Sequence, residues 1–126
     1  ENARLFSSRL HQLGVEKIIF VGKPPEWAQP VPKIVHQLSR PTPIYSKHGL
    51  LESVSKVGLN VTHNSLGLER RDDYINLIDA LCVADGCPLF LGKSVEQGIT
   101  ALDDRHITPV VSDQVARTLL VPSLIQ

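Results

Sequence analysis

The chain has 126 residues, 42% of them apolar, and 13 basic side chains stand against 13 acidic ones. That length suits one domain, residues 1–126, with a core that needs no metal or staple. Balanced charge gives no electrostatic case for a nucleic acid partner, and no apolar run nears the roughly 18 residues of a bilayer span.

The chain starts at Glu1, directly in helix-like sequence and without a charged-then-apolar leader, which suggests an excised fragment or a mature piece. Residues 2–13 read as a helix capped by Asn2 and ended by Gly14, with Phe6, Leu10 and Leu13 spaced to face a core. The apolar run from Lys17 to Gly22 reads as a strand buried on both faces, the pattern of a parallel sheet. Residues 23–46 hold Pro24, Pro25, Pro30, Pro32, Pro41 and Pro43, so this stretch is expected to be mostly extended loop. A short helix from Val31 to Leu38 fits inside it, and Trp27 is expected to pack the loop onto the body.

Leu50, Val54 and Val57 follow helical spacing, whereas Tyr74 to Asp79 alternates like a strand. Pro88 to Leu91 is a short apolar run, and Ile99 to Leu102 is a strand candidate that ends at Asp103. Thr108 followed by Pro109 opens a last helix with Val111, Val115 and Leu119 on one face, expected to stop near Leu120 because of Pro122. Strands alternating with helices point to a layered α/β fold.

Asp103 and His106 are the candidate catalytic residues. An Asp three residues before a His, between a strand and a helix, lets the chain turn so that the carboxylate reaches an imidazole nitrogen. The carboxylate then fixes the tautomer and stabilises the imidazolium, leaving the other nitrogen to take a proton from a nucleophile. The N-terminus of the following helix disfavours a charged imidazole, and Asp103 offsets that. Taken by itself, the spacing also fits a solvated turn, with Asp104 and Arg105 on its surface.

Cys82 and Cys87 lie five residues apart around a turn-prone Asp85 and Gly86. The spacing leaves both a disulfide and two reduced thiols open. A zinc site would need more ligands than this pair offers, and no cofactor is called for. His11, His36, His48 and His63 are scattered and read as surface or loop residues. Asn60 to Thr62 matches a glycosylation acceptor.

Three stretches carry a family resemblance: Leu81-Cys82, Asp85-Gly86-Cys87 and Leu102 through Thr108. A cysteine pair, then a strand ending in an Asp-rich turn, then His, an apolar residue and Thr, resembles the end of the SGNH domain fused to acyltransferase-3 family membrane O-acyltransferases. The opening helix, the Ile18 to Gly22 strand and Pro24-Pro25 are similar to that family as well. The resemblance implies a three-layer α/β/α sandwich with a mainly parallel sheet, flavodoxin-like in plan. It also implies a Ser-His-Asp triad with His106 as base and Asp103 as its partner.

The family's serine lies in a Gly-Asp-Ser block near the domain's start, and no such block occurs here. The chain therefore resembles the C-terminal part of the domain and is expected to be inactive alone. The resemblance further implies an acyl donor, a carbohydrate acceptor and an attached membrane acyltransferase domain. It places the domain on the periplasmic face of a bacterial inner membrane, which favours a Cys82–Cys87 disulfide. The rival expectation is a non-catalytic α/β domain that binds glycan or a protein partner.

Overall fold

The computed structural model describes residues 2–51 and 65–125. The helix expected at Leu50 to Val57, His63 and the Asn60 to Thr62 acceptor pattern lie wholly or mainly outside these residues.

Helix α1 (Asn2–Gln12) is closed by Gly14, whose φ of 96° takes the left-handed turn that glycine accepts without strain. Strand β1 (Ile19–Val21) follows, then the proline-rich loop and helix α2 (Val31–Gln37). Next come β2 (Tyr45–Ser46), β3 (Asp73–Ile75), α3 (Leu77–Leu81), β4 (Cys87–Pro88) and α4 (Val95–Gly98). The chain ends in α5 (Pro109–Val115), a π turn over Ala116–Leu120 and α6 (Val121–Leu124).

β1 and β3 pair in parallel with Phe20 opposite Tyr74, whereas β2 and β4 pair antiparallel. The fold is thus mixed α/β, with two two-stranded sheets among the described residues.

One core gathers Trp27, Val31, Ile34, Cys87, Leu89, Phe90 and Ala101 beneath the proline-rich loop. Full burial of Val31, Ile34 and Leu89 supplies about 1.5–3 kcal/mol each. A second core sets Leu77 of α3 against Val111 and Val115 of α5, with Ile107 packed beside them. The two cores flank the segment from Ala101 to Ile107.

Four expectations are corrected. Phe6 and Leu13 do not face a core: they are 56% and 82% exposed, and the buried side chain of α1 is Ser7. β1 is half-buried to exposed rather than covered on both faces, because its described sheet partner is β3 alone. Alternation from Tyr74 to Asp79 yields a strand only as far as Ile75. Asn76 then accepts the Asp79 amide on its side chain and starts α3. The last helix runs to Leu124 instead of stopping near Leu120, since the π turn shifts the hydrogen-bond register just ahead of Pro122.

Cys82 and Cys87 form a disulfide that ties the end of α3 to β4. The turn between them needs Gly86: its φ is 121°, and a Cβ there would collide with the Ser46 carbonyl. Closing so short a loop limits the unfolded chain and contributes about 2 kcal/mol. Urea unfolding of the Cys82→Ala, Cys87→Ala double variant is expected to show at least that loss, with Cys87's buried packing adding to it.

Candidate active site

The turn from Leu102 to His106 is pinched at its base by a bridge between Ala101 and Ile107. Beyond it, the Thr108 amide donates to the Thr100 carbonyl at 3.0 Å, and the Thr108 hydroxyl donates to the Ile99 carbonyl at 2.7 Å. Thr108 therefore occupies the helix-capping position but spends its hydroxyl on anchoring the turn. Ile99 to Leu102 forms bridges rather than a strand.

Inside the turn Asp103 organises its own neighbours. Its Oδ1 accepts from the amides of Arg105, at 2.9 Å, and His106, at 2.7 Å. Its Oδ2 lies 2.5 Å from His106 Nδ1. These contacts, the Arg105 amide first and then the amide and ring of His106, hold the carboxyl well below the usual carboxylate range. Asp103 is thus ionised across all ordinary pH, and it fixes the proton on Nδ1. Nε2 remains the nitrogen free to exchange a proton.

The His106 side chain is 80% exposed, at an open cleft of about 280 Å³ lined by Leu102, Asp103, Ile107 and Thr108. Asp104 points away and pairs with Arg105 at 3.0 Å, so it does not compete for the imidazole. The two residues chosen from sequence are brought together.

A second cluster went unread in the sequence. Asp72, fully buried, accepts from the Ser7 hydroxyl at 2.6 Å and from the Ile18 amide at 3.1 Å, and His11 Nε2 lies 2.9 Å from both its oxygens. His11, expected on the surface, has a side chain only 5% exposed. The signal was present in the spacing: Ser7 and His11 stand four apart, a polar pair on one helix face.

These are the side-chain types of a serine triad, but the connectivity is centred on the carboxylate. His11 Nδ1 lies 2.6 Å from the Val15 carbonyl, so both ring nitrogens face acceptors, which favours the protonated ring. A ring so occupied has no lone pair for the Ser7 proton, and the cluster acts as an anchor for α1. His36 and His48 are exposed, as expected. Among the described residues no group of three or more His, Cys, Asp or Glu side chains could hold a metal.

This arrangement of elements is similar to that of a periplasmic acetyltransferase domain. The solved structure in question is the lipopolysaccharide acetyltransferase periplasmic domain of Salmonella ser. Paratyphi A, with a TM-score of 0.69 and 29% sequence identity. The match covers 87% of this chain and 42% of that one, so the chain spans about two fifths of the solved domain's length. No family model and no curated protein matches the chain.

The anchor cluster is expected to make stability depend on pH in both directions. The hydrogen bond from His11 to Asp72, then that to Val15, raises the imidazole's pKa. Its contribution is complete below about 6.5, the unfolded value, and is lost as pH rises through the higher folded value. For Asp72, burial pushes the pKa up, but the bonds from Ser7, His11 and the Ile18 amide prevail and lower it. Its contribution is complete above about 3.9 and is lost as pH falls through the lower folded value. Urea midpoints measured from pH 3 to 9 are expected to trace a plateau between these limits. His11→Gln should remove the alkaline fall while keeping the acid one. Asp72→Ala, which leaves the Ser7 hydroxyl, the Ile18 amide and the His11 ring without their common acceptor, should cost roughly 3 kcal/mol.

Proposed function

We propose that this chain carries the acid–base half of a serine-type acyltransferase or esterase site of the SGNH kind. The observation that carries the reading is the Asp103–His106 pair: an ionised carboxylate on Nδ1, with Nε2 at an open cleft. The similarity to a periplasmic acetyltransferase domain supports the same reaction class. A disulfide suits the oxidising periplasm, in line with a place on the outer face of a bacterial inner membrane.

The nucleophilic serine is supplied by polypeptide outside these 126 residues. Ser7 is 1% exposed and gives its proton to Asp72, which unfits it for attack. The edge of β1 left unpaired among the described residues, the exposed Leu5 and Phe6 of α1 and Leu13 just after it are surfaces that further strands and helices of a three-layer sandwich would cover.

In this mechanism His106 Nε2 takes the serine proton as the hydroxyl oxygen attacks the donor's acyl carbon. The imidazolium, stabilised by Asp103, then protonates the leaving group, and an acyl-enzyme remains. A sugar hydroxyl, or water in the esterase direction, next gives its proton to Nε2 and attacks the acyl carbon, and the serine recovers its proton. Acetyl is the acyl group we favour, a surface glycan the acceptor, and a membrane acyltransferase domain the attached partner.

The test is a fluorophosphonate probe on a longer protein that contains this chain. Labelling of one serine outside the chain is expected, falling at least about a thousandfold in rate with His106→Ala, and strongly with Asp103→Ala. Undiminished labelling in His106→Ala would overturn the assignment of the base. Labelling at Ser7 would move the nucleophile into the buried cluster. No labelling in a folded protein would favour a domain that binds glycan without turning it over.

A further inference from the structure

The Asp103–His106 turn faces outward with its side chains and inward with its carbonyls. The Asp104 carbonyl accepts from the Trp27 amide at 2.8 Å, and the Asp103 carbonyl accepts from the Val31 amide at 3.0 Å. Both donors belong to the proline-rich loop. Val31 is the first residue of α2, where an amide has no acceptor within the helix. Pro32 offers no N–H at all, and the amides of Lys33 and Ile34 turn back to the Pro30 carbonyl. The proline spacing therefore leaves the Val31 amide to reach across to the turn.

Trp27 adds its side chain to that backbone contact. It is 2% exposed and shares a core with Ala101. With Ala101, Arg105 and Ile107 it also lines a cavity of about 10 Å³, the size of one water, under the neck of the turn.

We propose that Trp27 is a positioning residue for the Asp103–His106 pair. Its indole forms the floor beneath the Ala101–Ile107 bridge, and its amide holds the Asp104 carbonyl inward, so that the Asp103 carboxylate is aimed at His106. The catalytic meaning of this assignment rests on the proposed function, whereas its geometric content does not.

The experiment follows the Asp103 carboxyl carbon and the exchange rate of the His106 amide by NMR in this chain. Three variants are compared with the parent: Trp27→Phe, Trp27→Leu and, as a control, Ile34→Val in the same core. A loosened turn loses the amide bonds that keep Asp103 acidic. Trp27→Leu is expected to move its titration up by about one pH unit or more and to speed His106 amide exchange about tenfold. Trp27→Phe should fall between it and the parent, and Ile34→Val should change neither readout.

Trp27→Leu that folds and leaves both readouts at parent values overturns the proposal and reduces Trp27 to core packing. If Trp27→Leu does not fold, Trp27→Phe decides: a shift in the same direction supports the proposal, and parent values overturn it. Neither readout involves a nucleophilic serine, so failure of the proposed function leaves this result standing, and the reverse also holds.

Discussion

The buried carboxylate of Asp72 is the constraint on which the first half of the structure depends. Donors from separate places in the chain converge on it, among them the Ser7 hydroxyl of α1, the His11 ring and the Ile18 amide that leads into β1. An ionised carboxylate can be kept away from water only when its lone pairs are filled, and here they are. Because Asp72 directly precedes β3, filling them also sets α1 beside the parallel pair of β1 and β3. This polar anchor explains how α1 holds its place while Phe6 and Leu13 face outward. Its inner face is bound by charge and hydrogen bonds rather than by apolar burial.

The second half depends on layers stacked beneath a turn. Two cores flank the stretch from Ala101 to Ile107, the bridge between those residues pinches it, and amides from the proline-rich loop hold its carbonyls. Only then do the side chains of Asp103 and His106 stand free at the cleft. The turn that carries them is thus supported from beneath by backbone hydrogen bonds and packed side chains. The two Asp–His pairs show how environment divides one chemistry. In the open pair one nitrogen is left for exchange, and in the buried pair both are engaged.

Much of this was legible in the residues. Gly14, Pro109 and the Val111, Val115, Leu119 stripe announce helix ends and a buried face because they act through local backbone chemistry. Asp103 and His106 were legible for the same reason: three residues of turn bring them together without help from elsewhere. Trp27 was expected to pin its loop and does so. The failures came where partners are remote. His11 read as a surface residue because its partner lies 61 positions away, and Phe6 and Leu13 read as core because spacing tells which face is apolar, not whether anything covers it. Tyr74 to Asp79 misled because alternation cannot see that Asn76 will cap a helix.

By itself the sequence determined the local geometry: the Gly14 stop of α1, the Pro109 start of α5, the turn that joins Asp103 to His106, and the glycine that lets Cys82 and Cys87 meet. These follow from backbone sterics and contacts a few residues apart. Tertiary structure decided what each feature faces. It buried Ser7, His11 and Asp72 together, drew the amides of Trp27 and Val31 under the Asp103–His106 turn, and turned the helical register ahead of Pro122. Such outcomes depend on which distant surfaces meet, and hydrophobic spacing carries no record of that.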